Sequence, residues 1–156
     1  MILYLVCDIS GSMEEDAKPF VMRTAVLTVA QWVRLGYGRA EIRLCAWGPE
    51  ARCLPNWSVK DEYPAEFLAC NGTSNGEALI QLLGKVPDGK VMIFSDGFWS
   101  CEDEKSLGRW RGNLPPNALR IVKIGADANP DLKGADVFTA EEMFAALDGL
   151  LEGSPA

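Results

Sequence analysis

Two short apolar runs constrain this chain more than anything else in it. "LYLVC", Leu3 to Cys7, and "VMIFS", Val91 to Ser95, are continuous, five residues long, and each stops at an aspartate, Asp8 and Asp96. A short wholly apolar run reads as a strand buried on both faces. Between and after them lie segments of helical period. Asp16 to Leu35 carries Val21, Ala25, Val29, Trp32 and Val33 at helix spacing and stops at Gly36 and Gly38, with Pro19 in the first turn. Glu77–Leu83 and Glu102–Arg111 read as shorter helices. Thr139 with Glu142 forms a capping box before a closing helix with Met143, Phe144, Leu147, Leu150 and Leu151 on its stripe.

Further strands are expected at Glu41–Trp47, Leu119–Gly125 and Val137-Phe138, with Ala51–Leu54 pairing back after the Gly48-Pro49 turn. Strands alternating with helices require crossovers. The expected class is therefore α/β: a Rossmann-like, doubly wound, mostly parallel sheet flanked by helices on both faces, with one short antiparallel edge strand. The 156 residues suit a single domain over residues 1–152, with 153–156 a frayed tail. There is no repeat and no linker.

Composition removes several functions. The chain has no His, which excludes Ser-His-Asp and Cys-His catalysis and His-ligated zinc. Fifteen basic residues against 22 acidic ones leave a net charge of −7, which argues against nucleic acid and against an anionic membrane surface. No apolar run approaches ~18 residues, so no membrane span is expected. Five scattered cysteines without a C-x-x-C read as reduced, mostly buried thiols, a bridged pair being the lesser alternative. With no visible signal peptide, a cytoplasmic location follows.

Ligands of such sheets gather at the carboxyl ends of strands. Asp8, Ser10 and Ser12 follow the first strand at every second position. Asp96 ends another strand. "CNGTSNG" places Thr73 and Ser74 in a loop before a helix, at the same edge. Hydroxyls and carboxylates without His or thiolate favour a hard divalent cation such as Mg²⁺, which takes about six oxygens and tends to retain water. Gly11 lets the loop turn both serines inward, while Asp8 stands behind them as an acceptor that orients hydroxyls or water. A position left free would suit an acidic side chain of a partner. Each segment alone is also an ordinary turn or helix cap.

Together the three segments resemble a known family. "DISGSM" matches the D-x-S-x-S pattern of von Willebrand factor A (vWA) domains, "NGTSNGEAL" is similar to their threonine loop, and "VMIFSDG" to their strand ending in the last acid. The pieces occur in the family's order. The resemblance implies a metal-ion-dependent adhesion site built from Asp8, Ser10, Ser12, Thr73 and Asp96, with the serines and Thr73 as direct ligands and the acids acting partly through water. Mg²⁺ is the expected ion, with Mn²⁺ and Ca²⁺ as alternatives.

It further implies a protein-binding module, not an enzyme, whose partner supplies an Asp or Glu. Stand-alone bacterial members work beside MoxR-type AAA ATPases or in multi-component stress and conflict systems, so the ATPase or its substrate is the partner class suggested. Two alternatives stand beside this reading. A metal-dependent phosphohydrolase would use the same acids, but the haloacid-dehalogenase type needs an aspartate where Ser10 stands. A structural adaptor would carry a vestigial site. Phe98 and Trp99, in "DGFWS", are either an aromatic rim for the partner or a buried loop anchor. Trp57 is a weaker rim candidate, Trp32 and Trp47 are expected in or near the core, and Cys70 and Cys101 are expected to be inert.

Overall fold

The apolar runs form the centre of a six-stranded sheet. In the computed structural model, which describes residues 1–36 and 39–151, the strands are β1 (Ile2–Asp8), β2 (Glu41–Trp47), β3 (Ala51–Cys53), β4 (Lys90–Ser95), β5 (Leu119–Lys123) and β6 (Val137–Thr139). Their order is β3-β2-β1-β4-β5-β6. All neighbours are parallel except β2 and β3, which pair antiparallel. This is the expected doubly wound sheet with its antiparallel edge. The expected tail, 153–156, lies outside the described residues.

Among the described residues, four α-helices cover the sheet: α1 (Lys18–Arg34), α2 (Gly76–Leu83), α3 (Cys101–Gly112) and α4 (Met143–Leu151). Alternation along each strand assigns side chains to the two faces. Leu3, Leu5 and Cys7 of β1, with Met92 and Phe94 of β4, pack in one cluster with α1 and α4. Tyr4 and Val6, with Val91 and Ile93, pack in the other with Leu79 and Leu83 of α2 and Leu107 and Trp110 of α3. Covering both faces explains why β1 and β4 read as unbroken apolar runs rather than alternating ones.

α1 buries Ala25, Val29 and Val33 as expected but departs from expectation at Val21 and in its start. Its buried stripe is Met22, Ala25, Val26, Val29, Ala30 and Val33, while Val21 is exposed. The helix begins at Lys18, because Asp16 (φ 50°) and Ala17 (φ 60°) take left-handed backbone that a helix cannot contain. Together with Glu15, those two residues separate α1 from a one-turn 3-10 helix, Gly11–Glu14.

The cysteines also depart from expectation. Cys45 and Cys53 face each other across the β2–β3 pair and form a disulfide, with a Cα–Cα separation of 4.0 Å. Cys7 and Cys70 are buried free thiols, and Cys101 is exposed. Opposed positions on an antiparallel pair put the sulfurs together, a proximity that scattered positions in sequence do not reveal. Disulfides persist mainly in oxidising compartments, so the cysteines no longer support a cytoplasmic reading. Among the described residues, no helix is long and apolar enough to cross a membrane.

Candidate metal centre at the sheet edge

The chain leaves β1 towards β2 on one side of the sheet, and β4 lies against β1 on the other. The carboxyl ends of β1 and β4 therefore flank a topological switch point, where connections diverge and leave a crevice. The register pairs Cys7 with Phe94, which sets Asp8 beside Ser95 and next to Asp96.

Asp8 is fully buried and its carboxylate is held on both oxygens. Oδ1 accepts from the Ser10 backbone N–H at 2.9 Å and from the Ser74 hydroxyl at 3.0 Å. Oδ2 accepts from the Ser95 hydroxyl at 2.5 Å. Burial raises the Asp8 pKa above the carboxylate norm, and the hydrogen bonds from Ser95 and Ser10 oppose that shift. The Ser95 hydroxyl in turn accepts from Gly97 N–H and from the Trp99 indole N–H, each at 3.0 Å.

The loop after β1 is zipped to the threonine loop. Gly11 N–H donates to Gly72 C=O at 2.8 Å, and Asn71 N–H to Ile9 C=O at 2.9 Å. Gly72 sits at φ +77°, and a Cβ there would lie 2.6 Å from Pro49 Cγ, so a side chain would push this loop away. The zipper brings Thr73 to the Ser10–Ser12 loop although 61 residues separate Thr73 from Ser12 in sequence. Thr73 is exposed, Ser10 is buried and Ser12 is half-buried. The hydroxyl oxygens of Ser10 and Ser12 are both shielded from solvent and have no hydrogen-bond partner. Buried hydroxyls are almost always paired, so two such oxygens two positions apart fit the donor set of a cation.

Asp96 is buried as well. Its Oδ1 accepts from Phe98 N–H at 3.2 Å, and its backbone C=O accepts from Asn129 N–H at 2.8 Å. Its Oδ2 accepts from the Lys18 ammonium at 3.1 Å, and the same ammonium lies 3.3 Å from Ser12 C=O and 3.2 Å from Asp127 Oδ1. One ammonium thus spans Ser12 and Asp96, which measures how close these elements stand. Burial works against the charge on Lys18, but its hydrogen bonds to Asp96 and Asp127 outweigh burial and raise its pKa.

The two aromatic candidates differ in burial. Phe98 is 45% exposed beside the site. Trp99 is half-buried, donates to Ser95 and stacks at a tilt on Trp47, with ring centroids 5.6 Å apart. It is an anchor for the loop. Trp47 is fully buried, and Trp32 packs against Phe144 at 4.2 Å. Beneath the site, burial drives the Cys7 thiol far above its ordinary pKa and pushes Cys70 up to about 11, so neither is a nucleophile at neutral pH.

Four polar residues of the site lie outside the ligand set expected from sequence, although Ser74 was already placed at this edge. Ser74 and Ser95 stand next to Thr73 and Asp96 within the quoted segments. Asp127 lies in the loop after β5, beyond the strand end itself, so the rule that selects Asp8 and Asp96 does not reach it. Lys18 had no signal either: a lysine opening a helix ordinarily projects into solvent.

No protein-family model matches the chain. No curated protein matches it either. The fold is that of a von Willebrand factor type A domain. Among solved structures it is similar to an aerotolerance-related membrane protein from Bacteroides fragilis, at 11% identity with TM-score 0.59, over 97% of this chain and 99% of that one. It is also similar to a von Willebrand factor type A protein from Catenulispora acidiphila, at 18% identity with TM-score 0.55, over 96% of this chain and 37% of that one. A third is proximal thread matrix protein 1 from the mussel byssus with a zinc-occupied metal-ion-dependent adhesion site, at 16% identity with TM-score 0.54, over 93% of this chain and 44% of that one. The chain spans less than half the length of each of the last two proteins.

Proposed function

We propose that the chain is a protein-binding module that holds a divalent cation, Mg²⁺ by preference, at the Ser10, Ser12 and Thr73 hydroxyls, with Asp8 and Asp96 supplying charge from behind. The observation that carries this reading is the pair of buried, unpartnered hydroxyls on Ser10 and Ser12 beside two buried carboxylates. Oxygen donors alone suit a hard cation. A neighbour of the same fold, the mussel byssus protein, holds zinc at a site of this kind. When bound, the cation supplies a Lewis-acid contact for a carboxylate.

The chain's own residues do the rest. Ser95 and Ser74 fix the Asp8 carboxylate, the loop zipper holds Gly72, next to Thr73, against Gly11 between the serines, and Phe98 offers apolar area at the rim. The partner supplies an Asp or Glu, and an AAA ATPase or its substrate is the class we favour. An enzymatic role is not favoured, since Asp8, the carboxylate beside Ser10, is already engaged by the Ser95 and Ser74 hydroxyls and the Ser10 backbone N–H.

Calorimetric titration with MnCl₂ and MgCl₂ tests the reading. Wild type is expected to bind in the millimolar range or tighter, and the Ser10→Ala/Ser12→Ala double variant to lose binding while keeping its circular dichroism spectrum. Equal binding by the two proteins would refute it.

A further inference from the structure

The ammonium of Lys18 stands where a charge argument for the cation least wants it. Asp8 and Asp96 together carry the two negative charges that balance a divalent ion, and Lys18 already claims one of them at 3.1 Å. The contact is built into the fold. The Lys18 side chain is 1% exposed and Asp96 is fully buried. Gly125, at φ +100°, leaves room for the lysine stem, since a Cβ there would meet Lys18 Cε at 2.8 Å. The left-handed pair Asp16-Ala17 starts α1 with Lys18 turned inward. The ammonium also has a second seat. Asp127 lies 3.2 Å away, is 49% exposed, and shares its neighbourhood with Glu15 and Asp16.

We infer that Lys18 is an internal counter-ion that competes with the divalent cation for Asp96, and that cation binding transfers the ammonium from Asp96 to Asp127. The inference rests on the cation-binding reading above and adds a determinant of its affinity. Like charges a few ångströms apart in a desolvated site oppose each other strongly, so an ammonium that stayed on Asp96 would weaken the cation. An exposed carboxylate at the margin lets it retreat without losing a partner. The lysine also keeps Asp96 paired when no cation is bound, which spares the fold a bare buried charge.

The test is calorimetric titration of the whole chain with MnCl₂, using wild type, Lys18→Met, Asp127→Asn and Glu15→Gln. Lys18→Met is expected to bind Mn²⁺ at least about tenfold tighter than wild type, since removing a neighbouring like charge favours the cation. Asp127→Asn removes the second seat and is expected to bind more weakly than Glu15→Gln, which deletes an equal charge from the same acidic neighbourhood. Should Lys18→Met fail to fold, the comparison of the two exposed variants decides alone. Binding by wild type that is unchanged or weaker in Lys18→Met, or equal in Asp127→Asn and Glu15→Gln, overturns the inference and leaves the cation site standing. Absence of Mn²⁺ binding in every variant overturns the cation reading and the inference with it.

Discussion

Ser95→Ala is the most informative single change outside the expected ligand set. Ser95 is fully buried, and alanine fills nearly the same volume, so packing contributes little to the outcome. What is lost is one donor and one acceptor. The hydroxyl donates to Asp8 Oδ2 at 2.5 Å and accepts from Gly97 N–H and Trp99 Nε1–H at 3.0 Å each. A hydrogen bond to a charged, buried acceptor is worth about 1.5–3 kcal/mol, and an orphaned buried donor costs about 1–3 kcal/mol. Trp99 is half-buried, so water can satisfy part of its loss. The sum is roughly 3–5 kcal/mol, a large share of the ~5–15 kcal/mol that holds a domain together.

With a urea m-value of about 2 kcal/mol/M, the unfolding midpoint should fall by about 2 M. Tryptophan fluorescence reports it directly, because Trp99 and Trp47 pack together beside Ser95. Ser100→Ala is the internal standard. Ser100 caps α3 by accepting from Asp103 N–H at 3.1 Å, and its loss should cost about 1 kcal/mol. If Ser95→Ala costs no more than Ser100→Ala, Asp8 is not held as described, and the argument that Ser95 fixes the site's acid fails.

Two further outcomes are expected. Unfolded without reductant, the chain should take three alkyl adducts by mass spectrometry, on Cys7, Cys70 and Cys101, because Cys45 and Cys53 are bridged; the native chain should take one, on Cys101, and five adducts on the unreduced chain would exclude the bridge. Glu142 accepts from Thr139 N–H at 2.9 Å and from its hydroxyl at 3.1 Å, which holds its carboxyl below the ordinary value of 4.5. A depressed pKa stabilises the fold above the ordinary glutamate range and is lost as pH falls through the folded value. The stability difference between wild type and Glu142→Gln should therefore shrink as pH drops below 4.5, and a constant difference from pH 6 to 3 would contradict the cap.

What the linear order of residues determined is the frame of the sheet and the places where chemistry could sit. Burial on two faces demands unbroken apolar strands, so β1 and β4 were legible as such, and an acid at the end of each apolar run marks the carboxyl edge on which Asp8 and Asp96 stand. Elements set by local periodicity and capping, such as α2, α3 and the turn before α4, were legible for the same reason. Only the tertiary structure decided what depends on distant segments meeting. The stripe of α1 takes in Met22 and leaves Val21 exposed because the sheet, not the helix, selects the buried face. Cys45 and Cys53 met through strand register. Trp99 became an anchor because Ser95 and Trp47 were there to receive it. Lys18 turned inward because Asp96 and Asp127, separated from it by 78 and 109 residues, outweigh its desolvation. Periodicity is a property of neighbours in sequence, whereas a charge finds its partner in space.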